Sequence, residues 1–270
     1  MKKRVLMFLV GCAVAFTAPV AMAQTALSDL IKVDVLDGGQ ATDGSYLTAL
    51  RLNLSKGWKT YWRAPGDAGI PPQFDWSAAE NVARVAYEWP TPSVFDQNGM
   101  RYIGYHDQLV LPVKITPKNA ARDVQLTGKI DIGLCKDICI PATLSVNHEL
   151  DRNAPRHPAI AAAMAQRPYS PKEAGVKSAS CRLSPIDGGM QIEARITLPH
   201  TGGRETAVIE PGSAVIWASE TETRRSGNVL TATSDLIQVN GGAFALDRST
   251  VRITVLGKNH AVDIVGCAPG

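Results

Sequence analysis

Val124-Gln-Leu-Thr-Gly-Lys-Ile-Asp-Ile132 and Ala142-Thr-Leu-Ser-Val-Asn-His-Glu-Leu150 decide the fold class. Apolar and polar residues alternate along both runs, the period-two pattern of a strand with one buried and one wet face. Between them stands Gly133-Leu-Cys-Lys-Asp-Ile-Cys-Ile-Pro141. Two alternating runs joined by so short a break predict an antiparallel hairpin, with Cys135 and Cys139 face to face across its neck.

The same alternation recurs on both sides of this hairpin. Upstream it runs through Tyr46–Leu54 and Leu109–Ile115, with Asp37-Gly-Gly39, Ser55-Lys-Gly57 and Gln97-Asn-Gly99 read as turns between strands. Downstream it runs through Met190–Leu198, Ala207–Ile209, Ala214–Ala218, Val229–Thr233 and Val251–Leu256. One-sided burial of this kind belongs to antiparallel sandwiches. The pattern breaks at 152–174, a polar, Pro-containing stretch in which Ala-rich Ala159–Arg167, closed by Pro168, predicts one short helix. The expectation is therefore an all-β chain: a first sandwich over 24–151, a linker with a short helix over 152–174, and a second, smaller sandwich over 175–270. Four of the five Trp fall between positions 58 and 89, which assigns the aromatic mass to the first sandwich.

The N-terminus has the layout of an export signal over residues 1–23. Lys2, Lys3 and Arg4 precede apolar Val5–Phe16, and Ala21-Met-Ala23 offers a small-x-small cleavage site. The apolar run is too short for a membrane anchor, which needs about 20 residues. Leu9-Val-Gly-Cys12 has the look of a lipid-attachment box, but the apolar stretch continues past it. Cleavage after Ala23 would remove three cations and Cys12, leaving 25 charges of each sign and four cysteines. A neutral exported chain has no basic footprint for nucleic acid. Nothing else in it is long and apolar enough for stable membrane insertion.

The four remaining cysteines form two unlike pairs. Cys181 and Cys267 bracket the second region, and a bridge closing so long a loop would stabilise by roughly 4 kcal/mol through chain entropy. A structural disulfide is expected there. A bridge between Cys135 and Cys139 closes only a few residues and gains little by that route. It suits a reversible switch better than a staple. The inner residues include no Gly, and Ile138 would tolerate a positive φ poorly. Two other readings stay open: a static hairpin staple, and a Cu(I) site using the two soft thiolates, to which His106 and Met100 would be candidate additional ligands. The five His are otherwise scattered, and the sequence calls for no bound cofactor. Trp58, Trp62, Arg63 and Asp67 lie in a Pro/Gly-rich stretch read mainly as turn structure, with a partner-facing surface as the alternative.

At this point a resemblance enters. Gly57-Trp-Lys-Thr-Tyr-Trp-Arg-Ala-Pro-Gly-Asp-Ala-Gly-Ile-Pro-Pro72, Leu109-Val-Leu-Pro112 and Cys135-Lys-Asp-Ile-Cys-Ile-Pro141 together resemble the periplasmic N-terminal domain of the DsbD/ScsB thiol:disulfide interchange proteins. The resemblance covers about 30 to 150; the second region resembles, more weakly, the additional immunoglobulin-like domain of ScsB-type members. It implies immunoglobulin-like sandwiches and a periplasmic thiol:disulfide oxidoreductase of the protein-disulfide reductase type, with Cys135 and Cys139 as the redox pair. Cys139 is then the residue that forms mixed disulfides. The implied partners are a membrane-embedded thiol reductase as electron donor and periplasmic thioredoxin-like proteins as acceptors. A cap over the pair is implied in Ser93-Val-Phe-Asp-Gln-Asn-Gly-Met-Arg-Tyr102, with Phe95 first and Tyr102 second as the shielding aromatic. Members of the family continue into a transmembrane domain; this sequence ends at Gly270, so the donor is expected to be a separate protein. The rival function is a copper-binding or copper-tolerance module using Cys135 and Cys139.

Overall fold

A computed structural model describes residues 26–66, 69–97 and 100–270. The export-signal reading, including Cys12, lies outside the described residues, as do Asp67 and the Asn98-Gly99 pair. The first half comprises α1 (Leu27–Leu30), β1 (Ile31–Gln40), β2 (Tyr46–Leu54), β3 (Lys59–Tyr61), β4 (Gln73–Asp75) and β5 (Val82–Tyr87). It continues with β6 (Ser93–Gln97), β7 (Met100–His106), β8 (Gln108–Pro117), β9 (Gln125–Cys135) and β10 (Cys139–Glu149). After α2 (Pro158–Ala165) come β11 (Ser178–Ile186), β12 (Gly189–Thr197), β13 (Thr206–Glu210) and β14 (Ile216–Ala218). The last elements are β15 (Glu222–Ser226), β16 (Val229–Gln238), β17 (Arg252–Leu256), β18 (Ala261–Val265) and β19 (Ala268–Pro269).

The chain is all-β and immunoglobulin-like in its sandwich construction. In the first half, a sheet ordered β1-β2-β8-β5 faces one ordered β10-β9-β3-β7-β6, with β4 added beside β9. Leu50, Leu111 and Ile115 from one sheet and Leu126, Ile130 and Leu134 from the other are almost fully buried, with Trp62 among them. The alternating residues of each strand supply this layer, and their polar neighbours face water. The second half repeats the plan with β14-β16-β12-β11-β19, where β15 also pairs with β16, against β13-β17-β18. Its core gathers Ile192, Ile196, Leu230, Ile253 and Val262. Between the halves, α2 sets Ile160 against Leu36 and Ala49 on the outside of the first sandwich.

One turn assignment is corrected. Asp37-Gly-Gly39 does not separate strands; it lies inside β1, where the register against β2 shifts between Asp37 and Gln40. Gly39 takes φ +80° there, a conformation glycine supplies without a Cβ clash. A bulge and a turn use the same residues, so local sequence does not separate them.

The two halves touch. Leu256 and Ala261 of the second half join the first hydrophobic core. Arg63, just after β3, donates from Nε and Nη2 to the two carboxylate oxygens of Glu210, both at 3.0 Å. Its guanidinium also lies 4.1 Å from the Trp62 ring centroid. A bidentate, largely buried pair of this kind fixes orientation as well as adding energy.

Candidate functional site

The β9–β10 register pairs Cys135 directly with Cys139, and the two are joined as a disulfide with Cα atoms 4.1 Å apart. Lys136-Asp-Ile138 closes the loop, with the Lys136 amide donating to the Ile138 carbonyl at 3.0 Å. Among the described residues, positive φ outside glycine occurs only at Asn81 and Asp107. The loop thus closes without the positive φ that Ile138 was expected to resist. The sulfurs are unequal: Cys135 is 7% exposed, while Cys139 stands at the surface beside exposed Ile138.

The sheet determines what surrounds them. Lys59 on β3 pairs with Cys135 on one side and with His106 on the other; two residues on, Tyr61 pairs with Gly104. Directly paired residues share a face. Cys139, Cys135, Lys59 and His106 therefore form one row, and Tyr61 stands two residues along on that face. The β6–β7 hairpin pairs Phe95 with Tyr102, which by alternation face the same way. These side chains enclose a cavity of about 160 Å³ lined by Tyr61, Phe95, Tyr102, Lys136, Cys135 and Cys139. That is smaller than the roughly 300 Å³ at which ordinary small-molecule pockets begin, and suits a partner's side chain.

Tyr61 is the residue sequence reasoning missed. Its hydroxyl lies 2.7 Å from the Cys135 sulfur and 3.2 Å from that of Cys139. Its ring lies 6.2 Å from that of Tyr102. Two glycines make room for it. A Cβ on Gly133 would come within 2.6 Å of the Tyr61 ring, and one on Gly104 within 2.1 Å of the Thr60 carbonyl oxygen. The available signal was Tyr61 within the family-like segment and a glycine two residues before Cys135, but only the register brings them together. Burial, with Tyr102 as a smaller contribution, pushes the Tyr61 phenol above its ordinary value. It therefore remains a protonated donor at neutral pH.

Phe95 and Tyr102 both line the cavity, and the Lys59 ammonium sits 5.3 Å from the Phe95 ring centroid. The His106 ring packs edge-on 6.0 Å from Phe95, and its Nδ1 lies 2.7 Å from the Asp107 carboxylate. Among the described residues, no group of three or more His, Cys, Asp or Glu is gathered that could hold a metal ion. The Met100 side chain lies outside the described residues. Trp62 and Arg63 serve the core and the contact between halves. In the second half, Cys181 and Cys267 are joined as a disulfide across 86 positions, with Cys181 fully buried. Among the described residues no helix is long and apolar enough to cross a membrane.

The site is thus a solvent-reachable disulfide at the end of an immunoglobulin-like sandwich, beside an aromatic hairpin whose Phe95 and Tyr102 line the same cavity: a thiol:disulfide interchange class of domain. Residues 31–148 match the family model "Thiol:disulfide interchange protein DsbD, N-terminal", and that stretch belongs to the DsbD/ScsB N-terminal domain family. A search of curated proteins finds no match. Among solved structures, the N-terminal periplasmic domain of ScsB from Proteus mirabilis shares the fold. It superposes with a TM-score of 0.67 at 22% identity, covering 92% of this chain and 97% of that one.

Proposed function

We propose that the protein is a periplasmic electron relay, taking electrons from a membrane-embedded thiol reductase and passing them to thioredoxin-like proteins through Cys135 and Cys139. The observation that carries this reading is the asymmetry of the disulfide. Cys139 is exposed, and Cys135 is buried with the Tyr61 hydroxyl against its sulfur. A donor thiolate attacks the Cys139 sulfur, the Cys135–Cys139 bond breaks, and its electron pair leaves on Cys135. Tyr61 donates a hydrogen bond to that developing thiolate. The donor's second thiolate then attacks the mixed disulfide and releases Cys139. The donor leaves as a disulfide, and two electrons remain here as two thiols. In the forward transfer, the Cys139 thiolate attacks an acceptor disulfide and Cys135 resolves the intermediate, restoring the starting bond.

Export through cleavage after Ala23 and the layout of redox domain, linker and second domain over 24–151, 152–174 and 175–270 belong to the same proposal. Phe95 and Tyr102 shield the bond until a partner's side chain displaces them from the cavity. Trapping in cells tests the relay. Cys135→Ala should accumulate mixed disulfides through Cys139, because the resolving thiol is gone, and Cys139→Ala should accumulate far fewer, because Cys135 is buried. Absence of trapped partners in both variants would rule out exchange. Stoichiometric Cu(I) binding by the reduced protein, lost in both variants, would point instead to the copper module.

A further inference from the structure

We propose that the ion pair between Arg101 and Glu220 is a positioning contact through which the second sandwich holds the β6–β7 hairpin over the disulfide. The inference rests on the exchange reading above, and it gives the second half of the chain a role at that site.

Alternation along β7 gives the strand two jobs. Tyr102, Gly104 and His106 face the sulfurs, so Arg101 leaves from the opposite face. Its Nη1 lies 2.6 Å from the Glu220 Oε1 in the β14–β15 connection of the second half. Its Nε lies 3.5 Å from the Asp96 carboxylate, on the neighbouring strand of the hairpin. The Arg101 side chain is 17% exposed and that of Glu220 42%, so the pair is sheltered on the hairpin side and partly open on the other. Asp96 and Arg101 form the rung next to Phe95 and Tyr102. A force on Arg101 is therefore felt one residue from both shielding aromatics.

The Glu220 end of the contact is anchored. Next to Glu220, the Ser219 hydroxyl accepts from the Asp235 amide at 2.9 Å, and the Ser219 carbonyl accepts from the Ser234 hydroxyl at 2.8 Å. Thr221, on the other side, is buried. The bidentate Arg63–Glu210 pair separately registers the second sandwich against the segment leaving β3, which carries Tyr61. Core packing holds the inner rung of the hairpin: Ile103 is buried in the first core and its partner Val94 packs against it, while Phe95 and Tyr102 on the next rung are only partly buried. The shielding rung therefore lies between a core-packed rung and the Asp96–Arg101 rung, whose tie to the second sandwich is Glu220. Loss of Glu220 should then raise the population in which the roof is lifted.

The test uses the full chain and dithiothreitol, which needs no protein partner. Reduction of each disulfide is followed separately by alkylation and peptide mass analysis. Glu220→Ala should speed reduction of Cys135–Cys139 about three- to fivefold, the factor expected from losing one partly exposed ion pair. Glu220→Gln should speed it less, Arg101→Lys should stay near wild type because it keeps the charge, and Glu222→Ala, whose partner is Arg224, should change nothing. Reduction of Cys181–Cys267 should be unaltered throughout. An unchanged rate at Cys135–Cys139 in Glu220→Ala, or a rise matched at Cys181–Cys267, overturns the proposal; the latter marks general loosening. If Glu220→Ala does not fold, Glu220→Gln and a salt series to about 0.5 M, which screens the pair, decide on the same criterion. Failure to trap partners would sink the relay and leave this result standing, whereas a flat rate with partners still trapped would sink this proposal alone.

Discussion

The described residues hold two disulfides made of the same atoms in different surroundings. Cys135–Cys139 closes a sequence separation of 4, with one sulfur at the surface, a tyrosine hydroxyl against the other, and Phe95 and Tyr102 lining the same cavity. Cys181–Cys267 closes a separation of 86, with Cys181 at 0% exposure and the chain's last strand, β19, paired beside it. Loop length sets how much a bond restrains the unfolded chain, and burial sets whether a thiolate can reach it. A short bond with one sulfur at the surface loses little when opened and opens readily; a long one, with Cys181 fully and Cys267 partly buried, is the reverse. The comparison teaches that the job of a disulfide is written in its surroundings.

The two bonds are expected to respond differently to removal. Removing the exposed sulfur with Cys139→Ala should abolish exchange with protein dithiols in a stopped-flow or gel-shift assay. The Cys135→Ala/Cys139→Ala double variant should lose no more than about 2 kcal/mol of stability in urea, the chain-entropy value for so short a loop. Cys181→Ser with Cys267→Ser should invert this. Stability should fall by about 4–5 kcal/mol in the same model, while exchange by the remaining folded protein continues. If the first pair proves the more stabilising, the division of labour is wrong. Tyr61→Phe should slow exchange by about tenfold, the order expected for a hydrogen bond to a developing charge, with little change in melting temperature. Gly133→Ala, by pushing a Cβ into the Tyr61 ring, should cost about 1–3 kcal/mol and slow exchange as well; a neutral effect on both would mean the glycine is not there for the tyrosine.

The smallest effect is acid dependence in the second half. Burial alone would raise the Glu205 pKa, but the two hydrogen bonds from Arg225 and those from Thr201 outweigh it, and the net shift is downward from 4.5. The folded pKa lies below the unfolded one, so this contribution is present above about pH 4.5 and is lost as pH falls through the folded value. Acid unfolding of wild type compared with Glu205→Gln should converge at low pH. Parallel curves would mean Glu205 carries no linkage.

Legibility of the fold followed strand length and pattern. β2, β8, β9, β10 and β12 were readable because each is long enough to alternate and buries one face. β1 was hidden by its glycine pair, whose bulge has the composition of a turn. β11 reads Ser-Ala-Ser-Cys-Arg and is a strand because β12 pairs with it along its whole length. β3 is three residues long, too short for any period, yet it carries Tyr61. At the site, the cysteines and the aromatic pair in the hairpin segment could be named in advance. Tyr61 could not, nor could Arg63 and Arg101 be given their partners in the second half.

The sequence by itself determined the all-β class, the hairpin register that opposes Cys135 to Cys139, and the contrast between a short and a long cysteine pair. These depend on neighbours along the chain: side-chain alternation, loop length and residue spacing. The tertiary structure alone decided which sulfur is exposed, that a tyrosine 74 positions away touches both, and that a glutamate from the second sandwich pairs with an arginine of the hairpin beside them. These depend on strands brought side by side across long stretches of chain, and local patterning carries no information about which distant residue fills a given gap.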